Sequence, residues 1–169
     1  MSQVATIDVG SFLPSEIWAG VVRHAPLISI DLIVRDAQQR VLLGLRANKP
    51  AQGWWFVPGG VTRKGETLDA AFARISETEL GIKLARTQAR FLGLYEHHYA
   101  DSFVGDTFGT HYVVLPHLVQ IADAALLRGD LQHTALRWIP IEALLRDSQV
   151  HENVKAYFIH EHASFNAGA

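Results

Sequence analysis

The stretch from Gly59 to Ile82, GGVTRKGETLDAAFARISETELGI, restricts the fold more than any other part of the chain. Two glycines lead into a polar loop, after which Leu68, Ala71, Phe72 and Ile75 recur at intervals of three and four. Gly81 follows where a helix commonly ends in a left-handed residue, so the pattern predicts a helix over Thr67–Leu80 with one buried face. Glu79 lies one turn beyond Ile75, on the edge of that face, and Arg74 is placed to lean over the preceding loop. A carboxylate at 79 is then available to a metal held against the double glycine. Each acid alone has a plainer explanation, Glu66 as a first-turn acid favoured by the helix dipole and Glu79 as a solvated charge. The combined spacing with Gly59 and Gly60 is more specific than either acid by itself.

The remaining chain reads as alternating strands and helices around this unit. LPSEIWAGVVRHAP predicts a short helix, LISIDLIV and RVLLGLRA predict strands joined by the polar RDAQQ turn, and WWFVPGG predicts a third short strand ending in a glycine turn. ARFLGLYEHHY, THYVVLPHLVQI and LRWIPI follow as strands, with IEALLRDS and NVKAYFIHEH as helices. That order implies an α/β fold, a mixed sheet with helices on its faces, in a single domain spanning residues 1–169. With no cysteine in the chain, thiol catalysis, disulfides and cysteine zinc sites are excluded together. A net charge of −2 argues against nucleic acid as the main partner. The N-terminus carries neither a basic start nor a long apolar run, so no membrane partner and a cytoplasmic location are expected.

Gly60, Glu66, Arg74, Glu79, Gly81 and Ile82 resemble the signature of the Nudix hydrolases. Three positions depart from it: Ile75 stands where a Glu follows the Arg, Ser76 takes an apolar position, and Thr78 replaces the first of two adjacent Glu. The likeness implies a Nudix-type α/β/α sandwich around a mixed β-sheet, with residues 1–26 as an N-terminal extension at the nucleotide site or a dimer interface. A Nudix pyrophosphatase that attacks phosphorus through several Mg²⁺ ions needs a dense carboxylate cluster. One Glu with neutral oxygens holds a single Mg²⁺ partnered by substrate phosphates. The chain is further similar, from roughly Phe12 to Phe158, to the GDP-mannose mannosyl hydrolase branch, most specifically through LLGLRANKPAQGWWFVPGG.

That resemblance implies hydrolysis of a small nucleotide sugar, GDP-mannose or a related GDP-hexose, by water attack at the anomeric carbon with inversion, in a homodimer. Mg²⁺, with Mn²⁺ as a substitute, is implied on the Gly59 carbonyl, Glu79 and Gln132, with His133 as general base, a role that an imidazole of pKa about 6.5 suits. Arg46 and Tyr112 match positions serving the leaving group, Asp31 and His97 positions near the sugar, and Phe12 and Trp18 aromatics that stack on the base. A second leaving-group Arg is expected where this chain has Val61, with Arg63 and Lys64 in the same loop. Two other functions stay open: a conventional nucleotide-sugar pyrophosphatase cleaving P–O, and a catalytically silent nucleotide-sugar-binding module.

Plainer readings compete at several positions. Trp54 and Trp55 suit core and rim packing, and at most one of His97 and His98 can face a site from a strand. His151, His160 and His162 read as solvated surface, Gln132 and His133 as a polar loop, and RANK as a solvated hairpin end.

Overall fold

The computed structural model describes residues 13–105, 107–122 and 133–159, the first two of the last stretch by their backbone alone. The strand β1, Leu27–Arg35, is buried at every position but Ile28, and the sheet is organised around it. A strand buried on both faces reads as a nearly continuous apolar run, as LISIDLIV does. Antiparallel partners of β1 on one side are β2 (Val41–Arg46), near its end, and β4 (Gly59–Val61), near its start. On its other side β7 (Thr110–Gln120) runs parallel along its whole length. β3 (Trp55–Phe56) and β8 (His133–Ile139) extend the sheet from β2, while β5 (Arg90–Phe91) and β6 (Tyr95–Tyr99) pair with β7. Among the described residues the result is a mixed sheet of eight strands.

Side-chain alternation along β1 divides the interior into two layers. Ile30, Leu32 and Val34 join Phe72, Ile75 and Leu80 of the helix α2 (Leu68–Leu80) in one core. Ile33 joins Leu144, Val154 and Phe158 in the other, beside α3 (Ile141–Arg146) and α4 (Glu152–Ala156). An N-terminal helix α1 (Ser15–His24) precedes β1, so the expected α/β sandwich is present. Among the described residues no helix is long and apolar enough to cross a membrane.

α2 forms as its sequence predicts. Thr67 caps its first turn by accepting a hydrogen bond from the Ala70 amide at 3.2 Å, and Gly81 ends it with φ +74°. Leu68 departs from the expected apolar stripe, being 41% exposed at the first helical position. The WWFVPGG segment also differs: it makes two short strands, β3 and β4, and the glycines lie inside β4, where no turn occurs. ARFLGLYEHHY is likewise split into β5 and β6, because Gly93 adopts φ +111° between them. α4 ends at Ala156, short of the predicted NVKAYFIHEH helix, whose last residues lie outside the described ones.

Replacing Phe72, fully buried, by Ala should cost about 3–5 kcal/mol of stability through the cavity left behind. Leu68→Ala should stay within about 0.5 kcal/mol. Urea denaturation of both variants checks the contrast.

Candidate active site

The two glycines of β4 bring the sheet and α2 together. A Cβ on Gly59 would lie 2.7 Å from Asp31 Oδ1 and 2.7 Å from the Ile30 carbonyl oxygen, so only glycine fits that approach. On Gly60 it would lie 3.2 Å from Ile75 of α2. β4 therefore presses Asp31 on one side and the signature helix on the other.

Asp31 is buried on the α4 side of β1. Tyr157 donates its hydroxyl proton to Asp31 Oδ2 at 2.7 Å, and the Tyr157 hydroxyl oxygen itself stands 3.1 Å from His97 Nε2. A hydroxyl has one hydrogen, so once it is given to the carboxylate the Tyr157 oxygen can only accept, and His97 donates as the Nε2–H tautomer. Burial carries the Asp31 pKa up to about 6, against the opposing pull of the Tyr157 hydrogen bond and the Arg46 charge. Burial also lowers His97 to about 4, with His151 and His98 adding to the shift, so this imidazole is neutral at physiological pH. The chain His97 to Tyr157 to Asp31 is thus a neutral donor relay ending on a carboxylate that ionises near neutrality.

Arg46, Tyr112 and several aromatic side chains stand near Asp31 and His97. Arg46 donates Nε–H to the Pro50 carbonyl at 2.7 Å and holds its guanidinium 5.6 Å from the Phe56 ring centre. Tyr112 faces His97 across the β6–β7 ladder, and burial, offset in part by Arg46, pushes its phenol up to about 12. Tyr99 accepts from Asn153 Nδ2 at 3.1 Å, and burial raises its phenol too. The ladder between β2 and β8 slips by one residue between Gly44 and Arg46, which sets Arg46 opposite the backbone of His133. Bulges of this kind commonly re-aim side chains beside active sites.

On the α2 side Arg74 ties the signature loop to its helix. It meets Glu66 through two hydrogen bonds, Nε to Oε1 at 2.7 Å and Nη2 to Oε2 at 2.8 Å, and also donates to the Val61 carbonyl at 3.0 Å. The Arg74 hydrogen bonds hold the Glu66 carboxyl below its usual range. Glu66 thus lies in the loop ahead of α2 as a structural clamp, not in the first helical turn. Ser76, at an apolar signature position, donates to the Ala73 carbonyl and accepts from the Leu84 amide, both at 3.0 Å, so it fastens the segment after the helix. Ile75 is 1% exposed and belongs to the core. Of the α2 acids, Asp69 and Glu77 are exposed and Glu79 is buried, so Glu79 is no solvated charge. A buried carboxylate is a hard-oxygen donor of the kind that divalent cations take.

The structure brings Asp31, His97, Arg46 and Tyr112 to one face, with the backbone of His133 beside Arg46. His133 opens β8 where the plainer reading had a polar loop. Trp18 is half-buried, its ring 6.0 Å from Phe103. Phe12 and Gln132 lie outside the described residues, as do His160 and His162. His98 is exposed and His97 buried, as strand parity requires, and Trp54 is a rim residue packed edge-on against His151. The surface reading of His151 is corrected: its Nδ1 caps α4 by accepting from the Asn153 amide, and its ring packs 5.5 Å from both Phe56 and Tyr99. Tyr157, Tyr99 and Asn153 had no local motif to single them out. For Asn153 and Tyr157 the one sequence signal is position on or beside a C-terminal helix that must cover the sheet, and for Tyr99 it is strand parity with His97.

Residues 25–160 match the NUDIX domain family. The low-salt glycan biosynthesis protein Agl8 of Haloferax volcanii is 40% identical over 125 residues, 74% of this chain and 78% of that protein. Among solved structures, the MutT protein of Methanosarcina mazei Go1 superposes with a TM-score of 0.65 at 18% identity, over 86% of this chain and 99% of that one. The NUDIX domain of Shewanella oneidensis NrtR, complexed with ADP ribose, superposes with a TM-score of 0.61 at 18% identity, over 92% and 99%. These two likenesses carry the fold.

Tyr157→Phe removes a donor that favours the ionised carboxylate, so the Asp31 pKa should rise above its wild-type value of about 6. Carboxyl ¹³C NMR titration of both proteins reads the shift. Arg74→Ala leaves the largely buried Glu66 without its cation and should destabilise by about 1–3 kcal/mol in urea denaturation.

Proposed function

The chain belongs to the Nudix hydrolase family, in which divalent metals are generally used, and from that premise we propose that it hydrolyses a GDP-hexose such as GDP-mannose to GDP and free sugar. The observation that carries this reading is Ile75. Where the signature places a carboxylate, this chain has a fully buried core residue packed on Gly60, and Glu79 is left as the buried acid of the helix. Such a set suits one ion clamped on a diphosphate leaving group, and it lacks the carboxylates that several ions attacking phosphorus need. The glycan biosynthesis role in the name of the Haloferax relative agrees with a sugar-bearing substrate.

In this mechanism Gly59, Glu79 and Gln132 would hold Mg²⁺, which would supply positive charge to the diphosphate. His133 takes a proton from water as the water oxygen bonds to the anomeric carbon, opposite the departing group. The bond from that carbon to the β-phosphate oxygen breaks, and its electron pair leaves with GDP. Arg46 and the Tyr112 hydroxyl donate hydrogen bonds to the developing charge, and Tyr112 keeps its proton because its pKa lies near 12. The Asp31 carboxylate stabilises positive charge at the sugar carbon, held in place by Tyr157 and His97. Phe12 and Trp18 stack on the base, in a homodimer.

Incubation with Mg²⁺ and GDP-mannose in ¹⁸O-labelled water, followed by mass spectrometry, should place the label in free mannose beside unlabelled GDP. Label in GMP or in mannose 1-phosphate would establish attack at phosphorus, and absence of turnover on every GDP-hexose would favour a binding module. His133→Ala should lower kcat by about 10²–10⁴-fold while leaving nucleotide-sugar affinity nearly unchanged.

A further inference from the structure

The β6–β7 pair has two differently furnished faces. His97, Tyr99 and Tyr112 serve the face described above, whereas Glu96, His98 and His111 share the opposite one by strand parity and register. His98 and His111 are direct cross-strand partners, their rings stacked at 4.2 Å with an interplanar angle of 27°. Glu96 sits two residues from His98 on the same strand, and its Oε1 is 3.8 Å from His111 Nε2, beyond hydrogen-bond reach. That nitrogen is shielded from solvent and makes no hydrogen bond, an arrangement that costs free energy unless another group meets it. One ligand atom from each of the three side chains lies within 4.8 Å of the others.

We propose that Glu96, His98 and His111 form a second metal site, selective for a borderline divalent ion of the Zn²⁺ class. Two imidazoles and one carboxylate are a recurrent ligand set for such ions, whereas Mg²⁺ prefers oxygen ligands throughout. Ligand atoms on one tetrahedral ion at the usual bond lengths stand about 3.4 Å apart, so closing the present spacing needs side-chain movements of little more than about 1 Å. His98 and His111 line an open cleft of about 370 Å³ between the end of α1 and the two strands, which gives an ion access. Arg23 lines the same cleft, yet its guanidinium is engaged elsewhere, over the Phe108 ring at 4.7 Å and on Thr107 Oγ1 at 3.3 Å. An ion bound here would bolt β6 to β7. Since β6 carries His97 on its other face, the site stiffens the strand that positions the Asp31 relay.

The test is calorimetric titration of Zn²⁺ into the full chain held in saturating Mg²⁺, which occupies the oxygen-rich site. One equivalent should bind, and His98→Ala and His111→Ala should each weaken the Kd by at least about 10-fold. The H98Q/H111Q variant, which keeps side-chain bulk at these accessible positions, should lose the binding and also the Zn²⁺-dependent rise in Tm while keeping the metal-free Tm of the wild type. Failure of the wild type to bind Zn²⁺ under these conditions overturns the proposal. So does undiminished binding by H98Q/H111Q, which would place the ion on other histidines.

Discussion

The absence of two side chains, at Gly59 and Gly60, is the constraint on which the site depends. β4 can lie against β1 only because nothing projects from residue 59 toward Asp31 and the Ile30 carbonyl. It receives α2 closely, since a Cβ on residue 60 would crowd Ile75 at 3.2 Å. Three residues of strand thus set the distance between the acid of the sheet and the helix that carries Glu79. The Glu66–Arg74 clamp closes the same unit from the loop side, with Arg74 reaching the Val61 carbonyl at the end of β4. Loop, strand and helix form one braced piece, and the site inherits its rigidity from close backbone approach and a bidentate ion pair.

Burial then supplies the electrostatics. An aspartate enclosed by protein resists ionisation, and it is kept near neutrality by one phenol and one guanidinium. A histidine in the same enclosure loses basicity and so remains a hydrogen-bond donor without a charge. On β6 His97 is enclosed in this way while its neighbours Glu96 and His98 stand exposed on the opposite face. One pair of strands therefore presents two chemical environments separated by the thickness of a backbone.

What the sequence made legible follows from the range of the interactions concerned. α2 was readable because its periodicity, its Thr67 cap and its Gly81 terminus are all local. The division of His97 from His98 needed only strand parity. Asp31, Arg46 and Tyr112 came through resemblance, and the fold gives them neighbours that no local pattern contains. Tyr157 lies 126 residues from the carboxylate it serves, and no spacing rule spans such a gap. His151 was misread for a related reason: three aromatic rings, two from around β3 and one from β6, pack against it, and none of them is near it in sequence. The double glycine looked like a turn because its true cause, crowding by Asp31 and Ile75, exists only in three dimensions.

A glutamate in place of Ile75 would arrive in a core built from Ile30, Leu32, Phe72 and Leu80. A charge placed among those side chains is costly and would tend to take up a proton, which removes its value to a metal. The neighbours would have to be remodelled before the acid could serve. Residue 75 is therefore committed to holding the helix on the sheet, and an acid there and the present packing are alternatives that one chain cannot combine.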